Sequence, residues 1–119
     1  MSDARRVVGR NGEDAAAAWY TAAGYEILGR NWRVREGELD LVVRGAGVIA
    51  FCEVKTRRGD AFGLPAEAVT PRKQQRLRLL AGRWLRDHAE SYGGLRFDVA
   101  SVGPDGRGGW NVDVISNAF

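Results

Sequence analysis

The stretch GELDLVVRGAGVIAFCEVKTR, residues 37–57, decides the fold. Two apolar runs flank a glycine-bearing turn, so it reads as a β-hairpin. Its second arm, VIAFCEVK, is apolar almost throughout, which implies cover on both faces and a central place in a sheet. Glu38, Asp40, Glu53 and Lys55 interrupt the pattern. An unpaired buried carboxylate is costly, so a chain tolerates such a group inside a strand mainly where it binds something.

Side chains two apart on a strand share a face, so Glu53 and Lys55 project side by side. Asp40 reaches that face only if the hairpin connection leaves an even number of residues unpaired, or if a bulge corrects the parity. A three-residue GAG loop would point Asp40 the wrong way. A turn of two or four residues, or a bulge, is therefore expected within residues 43–49. With that register, the hard oxygens of Asp40 and Glu53 suit Mg²⁺ or Mn²⁺, and Lys55, held protonated by the carboxylates, can orient a water or offset charge on a phosphorus. The competing reading is a structural ion pair at a strand end.

Working outward, residues 3–22 read as a helix stopped by Gly24. Gly9 and Gly12 weaken it, so either the helix starts late, the reading preferred here, or something approaches its backbone closely. Glu13 falls on the stripe Gly9, Glu13, Ala16, Ala17, Tyr20 and is expected to point inward near the strand ends, whereas Asp14 reads as a solvated partner of Arg10. Residues 25–35 read as an edge strand, with Glu26, Leu28, Arg30, Trp32 and Val34 on one face and a bulge or close contact at Gly29.

Residues 56–69 read as a loop. A second helix follows over 70–91, capped by Thr70 and carrying the stripe Leu77, Leu80, Ala81, Trp84, Leu85, His88. His88 reads as a cap rather than a ligand. Strands at 95–102 and 110–116 close the chain, with Asp98 and Asp113 expected to face outward. The order is α-β-β-β-α-β-β, an α/β fold with a mixed central sheet of about five strands flanked by helices, in one domain spanning 1–119.

The chain has 119 residues, a net charge of +3 and one cysteine, which excludes an internal disulfide and a cysteine zinc cluster. Cys52 reads as a small core residue. No run approaches membrane-spanning length and no signal peptide is evident, so a soluble, cytoplasmic protein without a membrane partner is expected. Only Lys55 and Lys73 are lysines among 18 basic residues. The arginine excess permits a nucleic-acid partner without requiring one. Lys73 and Gln74, at the start of the second helix, are candidate substrate contacts because spare N–H groups there favour phosphate. Arg57 and Arg58 could clamp a DNA backbone, while Arg72, Arg76, Arg83 and Arg86 read as a solvated face.

GRNGEDAAAAWY, GYEILGRNWR, GELDLVV, IAFCEVKTR, FGLPAEAV with Lys73, and RFDV resemble, in order, the motifs of the YraN-like family of small bacterial proteins. That family is similar to the archaeal Holliday junction resolvases and to the PD-(D/E)xK nuclease superfamily, with its restriction-endonuclease-like fold. The resemblance implies a Mg²⁺- or Mn²⁺-dependent endonuclease acting on DNA, branched or otherwise structured DNA included, as a C2 homodimer. Asp40, Glu53 and Lys55 take the motif positions, and Glu13 the acidic place on the first helix, making Asp40, Glu53 and Glu13 the metal ligands. Leu39 stands where the superfamily motif has proline. The alternatives are a catalytically silent nucleic-acid-binding module that retains the fold, and a protein-interaction domain.

Overall fold

The computed structural model describes residues 3–57, 69–88 and 92–119. The elements are α1 (Asp3–Ala22), β1 (Glu26–Val34), β2 (Gly37–Gly45), β3 (Val48–Thr56), α2 (Pro71–His88), β4 (Leu95–Pro104) and β5 (Trp110–Ile115). They follow the order read from the sequence. The five strands form one mixed sheet in sequence order, antiparallel except for the parallel β3–β4 pair. A parallel neighbour needs a crossover, and α2 is part of it.

The helices cover opposite faces. Ala16, Ala17 and Tyr20 of α1 pack with Leu41, Val43, Ala50, Cys52, Ala100 and Val102. On the other face, Leu77, Leu80, Ala81 and Trp84 of α2 pack with Val42, Ile49, Phe51 and Val99. Covered on both sides, β3 is the central strand its apolar run implied, and Cys52 is a buried free thiol.

Gly45 pairs with Val48, leaving a two-residue turn at Ala46 and Gly47, both with positive φ (52° and 79°). Such a turn matches the twist of a hairpin and keeps cross-strand parity even. The ladder runs through Leu41↔Cys52, so the next position aligns Asp40 with Glu53.

Beyond that rung the strands part: β2 continues on β1, and β3 continues on β4. At the same level the outer hairpin turns over. Leu41 belongs to the α1 core, whereas Leu39 and its partner Trp32 pack with the α2 core, although residues two apart should share a face. Asn31, between the pairs Arg30↔Leu41 and Trp32↔Leu39, has φ 52°. A left-handed residue in a strand reverses the alternation, and so Arg30 reaches Asp14 on α1 instead of lining up with Leu28, Trp32 and Val34. β1 is an edge strand, with its register shift between Ile27 and Gly29.

Two expectations fail here. The first helix starts at Asp3, and Gly12 is a close approach: a Cβ there would lie 2.3 Å from Thr56 Oγ1. Asp98 is fully buried, because Tyr20 Oη donates to it at 2.7 Å, Arg96 Nε and Nη2 at 2.8 and 2.9 Å, and Asn117 N at 3.0 Å. Four donors offset its desolvation, which alternation in a strand could not reveal.

Candidate functional site

The divergence of β2 and β3 leaves a fork, and carboxylates line it. Asp40 Oδ2 accepts a 2.8 Å hydrogen bond from Val54 N, so a side chain bonds the β3 backbone where the ladder stops. Glu13, brought in by α1, and Glu38, two residues before Asp40 on β2, offer carboxylate oxygens that lie with Asp40's within 4.8 Å of one another. Glu53 faces a shared cleft of about 200 Å³ lined also by Glu38, Asp40, Lys73 and Arg76.

Electrostatics follow from this crowding. Burial, then the charge of Glu53, pushes the Asp40 carboxyl up to about 8, against the opposing Val54 N–H. Burial also raises Glu13; a hydrogen bond with Asn31 opposes the shift and the Glu38 charge reinforces it. Asn31 thus serves the site twice, by turning β1 over and by bonding Glu13.

Both lysines gather at Glu53, whose side chain is only 11% exposed. Lys73 Nζ is 3.3 Å from Oε1 and Lys55 Nζ 4.0 Å. Burial, then the hydrogen bond with Lys73, lowers Lys55, against the charges of Glu53 and Asp40 that favour its protonated form. For Lys73, burial works the same way, but the hydrogen bond with Lys55 and the charge of Glu53 outweigh it and leave its pKa raised.

Glu13, Asp40, Glu53, Lys55 and Lys73 therefore come together. Gln74 does not join them: its Nε2 donates to Val69 O at 3.1 Å and secures the start of α2, where Lys73 N also donates to the Thr70 Oγ1 cap at 3.2 Å. Arg57 turns to Asp113 on β5 at 3.6 Å, while its backbone N donates to Val102 O. Arg58 lies outside the described residues. His88 Nδ1 lies 2.8 Å from Trp84 O and its ring stacks on Trp84, away from the carboxylates. Asp14 pairs with Arg30.

Glu38, which the sequence marks as an interruption of the hairpin pattern without assigning it a role, joins the cluster. The Glu-x-Asp spacing in GELD was the available signal for a role, and Glu38 also pairs with Arg33.

No helix among the described residues is long and apolar enough to cross a membrane. The model of the uncharacterised protein family UPF0102 matches residues 12–102, from Gly12 to the later part of β4. A UPF0102 protein of Frankia casuarinae is 51% identical over 98% of both chains. One from Symbiobacterium thermophilum is 50% identical over 96% of this chain and 97% of its own, and one from Acidothermus cellulolyticus 44% over 99% and 97%.

Proposed function

The chain belongs to the UPF0102 family, and we propose that it is a Mg²⁺- or Mn²⁺-dependent endonuclease acting on DNA, structured or branched DNA included, on the PD-(D/E)xK pattern its motifs resemble. One observation carries the reading: the fork holds Asp40 against Glu53, with Glu13 and Glu38 crowded on Asp40 and both lysines drawn to Glu53. A structural ion pair has no need of four carboxylates for two lysines. A C2 dimer, as the likeness to resolvases implies, belongs to the same proposal.

The donor set fits a hard divalent cation, since all the clustered ligand atoms are carboxylate oxygens and their repulsion already helps push Asp40 up to about 8. Asp40, Glu13 and Glu38 would hold the ion, with Glu53 beside them. The ion would cancel the repulsion and polarise a phosphoryl oxygen. The protein's own groups do the rest. Val54 N–H fixes the Asp40 carboxylate, Lys55 Nζ beside Glu53 orients the attacking water, and Lys73 offsets charge on the phosphorus.

Incubation of junction, flap and linear DNA with Mg²⁺, Mn²⁺ or EDTA tests the proposal. Metal-dependent strand cleavage is expected, lost in Asp40→Asn, Glu53→Gln and Lys55→Met. Cleavage that survives Asp40→Asn and Lys55→Met overturns the assignment. Salt-sensitive binding without turnover in either metal selects the binding-module reading instead.

A further inference from the structure

Along α2, Arg72, Arg76, Leu79, Arg83 and Arg86 recur at intervals of four, three, four and three residues. That spacing holds them in one stripe on the helix surface. From Arg72 to Arg86 the helix rises about 21 Å, close to six base-pair steps of a duplex. The stripe is not the core stripe, which is Leu77, Leu80, Ala81 and Trp84.

Three observations distinguish it from an ordinary solvated face. First, Arg30, Arg33, Arg44, Arg57 and Arg96 each hold a carboxylate within salt-bridge distance, whereas Arg72, Arg76 and Arg86 hold none among the described residues, a state shared with Arg35, Arg78 and Arg107 but concentrated here on one helix flank. Arg83 alone in the stripe is paired, with Glu36 at 2.7 Å. Second, the stripe is continuous with the fork: Arg76 lines the cleft of Glu38, Asp40, Glu53 and Lys73, and also an adjoining cleft formed by Glu36, Leu79, Leu80, Arg83 and Arg86. Third, the fork is itself anionic, with Glu13, Glu38, Asp40 and Glu53 against Lys55 and Lys73. A polyanion brought to it needs attraction from nearby, and the arginines of the rim, three of which hold no carboxylate among the described residues, supply it.

We infer that this flank of α2 is a track for the phosphodiester backbone of DNA, which Arg76 hands on to the fork. The inference rests on the nuclease reading for what happens at the fork, but binding along the track needs no metal and no turnover.

The test measures fluorescence anisotropy of a fluorescein-labelled DNA duplex, and of a four-way junction made from the same strands, in EDTA across a salt titration. Arg72→Gln/Arg76→Gln is compared with Arg44→Gln/Arg107→Gln, which removes equal charge away from the flank. The flank pair should weaken binding by about tenfold or more, and its slope of log affinity against log salt should fall by about 1.8, at about 0.9 for each phosphate no longer neutralised. The control pair should weaken it by less than about twofold. Equal weakening in both pairs, no weakening, or no DNA binding by the unaltered protein at low salt overturns the proposal.

Sedimentation velocity adds a further arm. A dimer dissociated by Leu79→Asp would make this flank an interface between two copies and equally overturn the track. Circular dichroism confirms folding of each variant. Asp40→Asn should bind DNA in EDTA at least as well as the unaltered protein. Tight binding along the flank with no cleavage in any metal would then refute the nuclease reading and leave the track standing.

Discussion

Asp40 Oδ2 and the backbone N of Val54 are 2.8 Å apart at the point where β2 leaves β3. A carboxylate placed there is fixed in orientation, partly desolvated and opposite Glu53; burial and the neighbouring charge push its pKa up to about 8.

The first expected outcome is that metal-free stability falls as pH rises. Asp40 is raised in the folded protein, so between the ordinary carboxylate range and about 8 the folded state holds a proton the unfolded chain has lost. The slope contributed is at most about 1.4 kcal/mol per pH unit. Thermal melts from pH 5 to 8.5 should show a falling Tm that Mn²⁺ restores at the alkaline end, and Asp40→Asn should flatten the curve. An unchanged slope in Asp40→Asn would place the titration elsewhere.

Lys55 should titrate below an ordinary lysine, and Lys73→Met should raise it, since Lys73 contributes to the lowering through a hydrogen bond and its charge. The chain has only two lysines, so ¹³Cε NMR titration reads both directly. A Lys55 curve indifferent to Lys73→Met would refute the lysine pair.

Gly12→Ala should destabilise the protein by about 1–3 kcal/mol, although alanine is the better helix former by about 1 kcal/mol. The added Cβ would meet Thr56 Oγ1 at 2.3 Å and its Cβ and Cγ2 at 3.3 Å. Displacing α1 also displaces Glu13, so calorimetric Mn²⁺ affinity should fall. Thr56→Ala in the same chain should recover most of the stability. A stabilised Gly12→Ala would mean α1 does not rest on Thr56.

Tyr20→Phe should cost about 1–3 kcal/mol in urea unfolding, because the buried Asp98 is deprived of its 2.7 Å donor. Asp98→Ala, which strands Arg96, should cost more, about 3–5 kcal/mol. Mn²⁺ affinity should be unaffected in both, and a large drop in either would tie this network to the fork.

Much of this was legible in the sequence because it rests on local rules. The apolar run of β3 identified the central strand, and parity required an even turn, which Ala46 and Gly47 supply. Asp40, Glu53, Lys55, Glu13 and Lys73 were placed by helix and strand periods. What stayed hidden depends on contacts between distant segments. Asp98 is buried because Tyr20, Arg96 and Asn117 surround it, and Gly12 is needed because Thr56 lies beneath it. The turnover at Asn31 depends on one left-handed residue that no alternation signals. That Arg57 lies beside Asp113 could not be read from the sequence, because the two are 56 positions apart.

The fork also has a mechanical meaning. The β2–β3 ladder consists of five rungs between Gly45↔Val48 and Leu41↔Cys52, and past them the sheet is two jaws, β1–β2 and β3–β4–β5. The tight Ala46–Gly47 turn closes the far end like the spring of a peg. An ion held, as proposed, by Glu38 and Asp40 of the outer jaw and by Glu13 of α1 would tie that jaw to the helix, so its radius would become a distance imposed between them. A small, octahedral ion held at about 2.1 Å and a larger one held at about 2.4 Å would then differ in elastic work as well as in charge density.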